Sequence, residues 1–452
     1  MKRRYPSRNG KPAFLHVFAS ALVLLMPLAG WFGAAGCGSD SGSGSEGSKT
    51  WTVKLSGEAD FPSLQQCIDE AANGDTCLVY AGIYPGTVRF NGKAILVKSV
   101  DGPEQTTLDG DFLKQDGQQG QDGQGDDTVV RFMDNEGAGA ILDGFTVRNG
   151  ATVTNGVATD HGGGIYIEAA SPTIRNCIIR DNTAAGDGGG IYCFGSTAMP
   201  LIRNTVIQDN TAQGQGGALC ALYASPDLIN CLLFGNKAQT QKRGHAVSAR
   251  GGAMVTLENC TVADNKPDQD GDDLYYQLYL LHSTATVSNS ILWTKDAPSG
   301  SHQAYLEPPA AEEATRLYLR YSDLQGGRAA VFGGENDCNA SPTPPLCLGI
   351  KDNDESPLPA DPLFPHCFPG KVDPKLGYCY YLSQEGDRST WSPCVDAGDP
   401  LQIIGELGIE ERTTSTDQVV DKVGVGVEDG KEVKYFIDLG YHYAVVEQEP
   451  SP

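Results

Sequence analysis

One short phrase recurs through the middle of this chain and limits what it can fold into. Ile174-Arg175-Asn176-Cys177-Ile178-Ile179 returns as Ile202-Arg203-Asn204-Thr205-Val206-Ile207. It returns again as Leu228-Ile229-Asn230-Cys231-Leu232-Leu233, as Leu257-Glu258-Asn259-Cys260-Thr261-Val262 and as Val287-Ser288-Asn289-Ser290-Ile291-Leu292. The asparagines are 28, 26, 29 and 30 residues apart. A near-constant step of this size is the signature of a solenoid, in which one repeat makes one coil.

Two further markers keep the same step. Gly162-Gly163-Gly164-Ile165-Tyr166 recurs as Gly188-Gly189-Gly190-Ile191-Tyr192 and Gly216-Gly217-Ala218-Leu219-Cys220, then decays to Gly244-His245-Ala246-Val247 and Gly271-Asp272-Asp273-Leu274-Tyr275. The third marker is Asn182, Asn210, Asn236 and Asn265. The apolar runs between markers are three to six residues long, alternate in and out, and favour Ile, Val and Leu. Such runs make short β-strands, and none holds a 3.6-residue period long enough for a helix. Gly, Asn and Asp separate the strands and tolerate left-handed backbone in tight bends. Equivalent strands of successive coils then pair in parallel about 4.8 Å apart. Asn176, Asn204, Asn230, Asn259 and Asn289 are expected to stack as an amide ladder that serves the bends and binds no ligand. About eight coils are expected between residues 76 and 324.

With these residues in view, the chain resembles a right-handed parallel β-helix of the pectin-lyase-like superfamily. It is close to bacterial surface repeat proteins and, less closely, to chlamydial polymorphic membrane proteins. The segment from Phe61 to Tyr84 resembles the family's opening, which implies a short helix near 62–73 capping the first coil. Leu64, Cys67, Ile68 and Ala71 share one face of that helix. Val88–Phe90, Ile95–Val100 and Thr107-Leu108 complete the first coil. Asp361–Pro365, Tyr380–Ser383, Ser392–Asp399 and Asp438–Tyr443 resemble the closing segment of such proteins, with Phe364, Leu439 and Tyr441 expected to pack inward. The expected class is all-β: a right-handed parallel β-helix over 51–324, with a short N-terminal cap helix and a loop-rich C-terminal cap over 325–452.

The N-terminus reads as an export signal rather than as fold. Lys2, Arg3, Arg4, Arg8 and Lys11 precede an apolar run from Ala13 to Met26, and Ala34-Ala35-Gly36-Cys37 follows. That ending resembles a bacterial lipobox, although Ala34 stands where Leu is commoner. The resemblance implies a signal peptide over 1–36, a lipid on Cys37 and a flexible Ser/Gly tether over 37–50. The expected address is the bacterial cell envelope, at the outer membrane or cell surface. Beyond residue 36 there are 28 basic and 57 acidic side chains, a formal charge of −29. Such a surface repels nucleic acid and anionic polysaccharide, so no nucleic-acid partner is expected.

An exported chain can oxidise its cysteines. Cys67 and Cys77 are placed to staple the cap helix to the first strand. Cys338/Cys347 and Cys367/Cys379 are close pairs in the loop-rich region, where a small core gains from stapling. Cys177, Cys231 and Cys260 share one inward ladder position, expected as stacked thiols. The pairing of these three and of Cys193, Cys220 and Cys394 is left open.

Catalytic motifs are scarce. There is no Gly-x-Ser-x-Gly, no His-Glu-x-x-His, no Walker loop, no metal spacing among the seven His and no pectinesterase motif. The superfamily resemblance implies paired carboxylates of the polygalacturonase type, and the nearest match is Asp126 and Asp127 with His161. Asp268, Asp270, Asp272 and Asp273 resemble a calcium loop, but the Gly is misplaced for an EF-hand and no Glu closes it. Calcium is therefore the one cofactor considered, and a solvated turn is the preferred reading. Tyr166, Tyr192, Tyr275 and Tyr305 form a partial outward aromatic ladder, suited to stacking on sugar rings but expected to shield the sheet. Decay of the repeat at 245 and 272–273 marks where a site would be grafted. The sequence thus favours a monomeric envelope lipoprotein displaying a rigid rod for adhesion or for a glycan or protein ligand, without catalysis. The alternative is a polysaccharide lyase or hydrolase.

Overall fold

The computed structural model describes residues 47–111, 126–152, 161–239, 243–265, 276–294, 302–307, 315–320, 322–325 and 331–332. It adds the backbone of short strands at 346–350, 412–413, 424–428, 431–435 and 443–444. The signal segment, Cys37, Asp268, Asp270, Asp272, Asp273, Cys338, Cys367, Cys379, Cys394 and the inward anchors expected of the C-terminal cap lie outside the described residues. So does the side chain of Cys347.

Each coil contributes one strand to each of three parallel sheets. Sheet 1 has eleven strands, from Thr50–Val53 and Thr76–Val79 through Thr173–Arg175 and Leu201–Arg203 to Thr315–Arg320 and Leu346–Ile350. Sheet 2 has nine, from Gly82–Pro85 through Ile178–Arg180 to Asp323–Leu324. Sheet 3 also has nine, from Val88–Arg89 through Ile165–Glu168, Ile191–Phe194, Leu219–Leu222 and Val247–Arg250 to Val331–Phe332. Nine rungs give eight coil-to-coil steps, about 40 Å at the usual strand spacing. Sheets 1 and 3 each receive one further strand beyond residue 324.

The phrase repeats because its residues stack. Ile174, Ile202, Leu228, Leu257 and Val287 are successive register partners in sheet 1 and are fully buried. Ile179, Ile207, Leu233, Val262 and Leu292 do the same in sheet 2. Between them the chain bends over two residues, the first of them left-handed. Asn176, Asn204, Asn230, Asn259 and Asn289 all hold φ between 48° and 54°, a left-handed conformation that Asn adopts at lower cost than other side chains. The ladder forms in part: Asn230 donates to Asn204 at 2.7 Å and Asn289 to Asn259 at 3.4 Å, whereas Asn176 donates to Asp143 at 2.8 Å. Arg175 also pairs with Asp143, at 3.0 Å.

The third marker does more. Asn182, Asn210, Asn236 and Asn265 are all fully buried. Asn182 donates to the side-chain oxygen of Asn210 at 2.9 Å, Asn210 to Asn236 at 3.0 Å and Asn236 to Asn265 at 2.8 Å. Each amide also donates to a carbonyl of the preceding coil, at Val147, Ile179, Ile207 and Leu233. The Oδ1 atoms also accept backbone N–H groups, from Gly150, Asn182, Asn210 and Asn236. Asn265 hands the chain on to Gln277, which donates to Thr294. The result is a continuous buried spine of satisfied amides.

Glycines pack the coil on the other side of this spine. A Cβ on Gly189 would lie 2.6 Å from the carbonyl oxygen of Gly217, so the phrase leaves no room for a side chain there. His245 stands at the equivalent position one coil beyond Gly217, beside the last described strand of a small side sheet. That sheet runs from Asp126–Asp127 through Ala151–Thr152, Thr183–Ala184 and Thr211–Ala212 to Lys237–Ala238. The buried His245 ring accepts the N–H of Ala238 at 3.0 Å.

The cap helix is Leu64–Glu70, slightly shorter than expected. Leu64, Cys67, Ile68 and Ala71 are buried in the core. Cys67 and Cys77 form a disulfide with Cα atoms 6.2 Å apart. Cys177, Cys193, Cys220, Cys231 and Cys260 are free and buried. Burial pushes the Cys177 thiol up to about 12.

Asn236→Ala is expected to cost about 3 kcal/mol or more in urea unfolding, because partners of its amide in three coils lose their bonds while buried. A cost below about 1 kcal/mol would contradict the spine. Asp209 gives a test with a pH signature. Burial, with the neighbouring charge of Asp181, raises its carboxyl above the ordinary 3.8. An acid raised in the folded state destabilises that state once ionised. Asp209→Asn keeps a residue suited to φ 53° and is expected to raise stability at neutral pH. The gain shrinks as pH falls through the raised value and disappears below 3.8. An equal gain at both ends of that range would contradict the assignment.

Candidate functional site

The outer face of sheet 3 carries the densest group of chemically capable side chains. Register places Tyr166, Tyr192, Cys220, Ser248, Tyr279 and Tyr305 in one outward column, one residue per coil. The ladder member expected at Tyr275 is Tyr279, which pairs with Tyr305; Tyr275 lies outside the described residues. The reason is a longer step where the glycine phrase decays: Ser248 to Tyr279 is 31 residues, against 28 for each of the two steps before it.

The column has two different ends. Tyr166, Tyr192 and Cys220 are buried and form a separate apolar cluster with Met133, Phe194 and Leu222. Here the rings shield the sheet, as expected. Towards the other end Tyr276, Tyr305 and Phe332 are half-buried or exposed. Tyr305 and Phe332 stack 5.0 Å apart and 5° from parallel, and Tyr276 lies 4.7 Å from Tyr305. Beneath them the buried Tyr279 donates to Glu307 and accepts from Arg243 at 3.1 Å, while Arg243 pairs with Glu307 at 3.2 Å.

Between the two ends lies a polar cluster. His161, Asp187, Gln215 and Arg243 occupy one position, immediately before the repeated glycine. His161 stacks on Tyr192 at 4.4 Å, and its Nδ1 accepts the Asp187 N–H at 2.8 Å. The Asp187 carboxylate accepts the Gln215 N–H at 2.8 Å and pairs with Arg250, two coils further on. Arg250 also donates to Cys220 Sγ at 3.5 Å, and Ser248 donates to Gln215 Oε1 at 3.0 Å. Burial pushes the Cys220 thiol up to about 12, so it stays protonated and is a poor nucleophile at neutral pH. Burial alone lowers the Arg250 guanidinium, but the paired Asp187 carboxylate raises it and holds it charged. Burial, foremost, raises the Tyr192 hydroxyl.

The carboxylates named from sequence do not gain a described role. Asp126 and Asp127 sit in the side sheet, paired antiparallel with Thr152 and Ala151, and their side chains lie outside the described residues. His161 faces Asp187 and Tyr192. The Asp187–Arg250 pair escaped sequence reading because its members are 63 residues apart and on different columns. The available signal was the polar residue before each glycine phrase. Among the described residues, no group of three or more His, Cys, Asp or Glu is placed to hold a metal ion.

Residues 124–292 match the family model described as right handed beta helix region. No curated protein matches the chain. Similar solved structures include a pectin methylesterase from carrot, with TM-score 0.37, 11% identity and coverage of 71% of this chain and 86% of that one. Another is Escherichia coli YbhC, with TM-score 0.37, 12% identity, and 70% and 87% covered. A third is the pectin methylesterase PemA from Erwinia chrysanthemi, with TM-score 0.37, 9% identity, and 68% and 91% covered. The matched segment, the three parallel sheets and their coil-by-coil register make this chain a right-handed parallel β-helix repeat protein.

Proposed function

We propose that the chain is a monomeric cell-envelope lipoprotein whose β-helix binds a neutral polysaccharide along the outer face of sheet 3, without cleaving it. The observation that carries this reading is the accessible ring ladder of Tyr276, Tyr305 and Phe332. Tyr305 is stacked between Tyr279 and Phe332, so these rings turn their faces to one another and their edges outward, and a row of apolar ring edges at the coil spacing can pack against the C–H groups of an equatorially linked pyranose chain. The formal charge of −29 beyond the signal disfavours polyanions and leaves a neutral chain as the fitting partner. The basic start, apolar run and Ala-Gly-Cys37 ending support a lipid anchor, with the Ser/Gly tract as tether.

The polar cluster is what favours the enzymatic alternative. Hydrolysis of a glycosidic bond uses two carboxyl groups, one protonated and one ionised. Asp187 is already engaged by Arg250 and the Gln215 N–H, which suits positioning better than proton transfer.

Calorimetry with cellohexaose tests the reading. Binding is expected, with no shorter sugars released, and Tyr305→Ala is expected to weaken it about 10-fold, through loss of its own edge contact and of the stack that holds Phe332 in place. Release of shorter sugars would replace this reading with the enzymatic one. Full binding by Tyr305→Ala would remove the ring platform. In cells, Cys37→Ser is expected to move the protein from the membrane to the soluble fraction; retention in the membrane would remove the anchor.

A further inference from the structure

The outward column of sheet 3 has a gap. Between the rings of Tyr192 and Tyr279 stand two small side chains, Cys220 and Ser248. Three coil steps, about 14 Å, therefore pass without a ring in this column. Arg250 occupies the lower part of this gap. It belongs to the neighbouring column, opposite Leu222. Yet its guanidinium folds back over Cys220 to reach Asp187.

Three observations set this arginine apart from an ordinary structural ion pair. Its Nε is buried and has no acceptor, so its conformation leaves one strong donor unused. Its partner holds a second donor, because the other Asp187 oxygen accepts the Gln215 N–H at 2.8 Å. The pair is largely buried, with side-chain accessibilities of 21% and 14%, so the guanidinium leaves only when a ligand replaces the bonds it loses. Below the guanidinium the floor is made of small side chains, one apolar in its packing and one a hydroxyl. It consists of the Cys220 thiol and the Ser248 hydroxyl, with the Gln215 amide 3.0 Å from the latter.

We infer that Arg250 is a displaceable plug over a saccharide subsite, latched by Asp187. This rests on the glycan-binding reading above. A chain seated on Tyr276, Tyr305 and Phe332 and continuing along the solenoid axis enters the gap. There its hydroxyls meet Ser248 and Gln215. The displaced guanidinium, with Nε and both Nη groups available, then bonds the hydroxyls of an uncharged pyranose unit. Only a chain long enough to span platform and gap gains these contacts.

The test unlatches the plug without removing it. Asp187→Asn retains an acceptor for Gln215 but loses the charge that holds Arg250. Labelling of Cys220 by methyl methanethiosulfonate, read by mass spectrometry, reports opening with no sugar present; the inward-facing Cys193 is the control. Calorimetry with cellotriose and cellohexaose reports the subsite. The expected result is faster labelling of Cys220 alone, cellohexaose binding tightened about ten-fold or more, and cellotriose binding unchanged. Unchanged Cys220 labelling would show a fixed structural pair and overturn the plug. Faster labelling with no change for cellohexaose, while both sugars still bind at the rings, would overturn the subsite but leave the platform. Failure of wild type to bind either sugar would overturn the subsite together with the glycan reading.

Discussion

Everything in this molecule depends on coils stacking in register, and the buried amide spine is the interaction that enforces it. Apolar ladders tolerate exchange: Ile, Val and Leu replace one another through both inner columns of sheets 1 and 2. The spine does not tolerate slippage. A one-residue shift would leave Asn210 or Asn236 facing apolar neighbours, with two donors and an acceptor unpaired in a dry interior. It therefore fixes which residue of each coil faces which, and so aligns the outward column from which any site must be built.

Much of the solenoid was legible because a repeated structure writes its constraints repeatedly. The left-handed bend returns as Asn, the crowded coil contact as Gly and the spine as a second Asn. The cap helix and the Cys67–Cys77 bond were legible from one amphipathic turn followed by a strand. The site was less legible. Asp187 and Arg250 meet across two coils, and no local pattern links them. Tyr279 was displaced in the reading by Tyr275, because the decayed phrase hides a change of spacing. His245, at a decayed glycine position, turns its ring to the backbone of Ala238.

The functional argument turns on how sheet 3 divides its outer face. One end buries Tyr166 and Tyr192 as a lid over the strands. The other leaves Tyr276, Tyr305 and Phe332 accessible, over an Arg243–Tyr279–Glu307 network that holds the underlying ring still. A ladder whose period is that of the backbone suits a polymer better than a single small molecule. The polar cluster between the ends adds hydrogen-bonding capacity where the rings stop.

Hydroxyl-radical footprinting with cellohexaose tests that division directly, because it reads the rings themselves. Oxidation of Tyr276, Tyr305 and Phe332 is expected to fall on sugar binding, while Tyr223, exposed at a corner of the solenoid, is unchanged. Unaltered oxidation of the three platform rings, or protection at Tyr223 in their place, would contradict sheet 3 as the binding face.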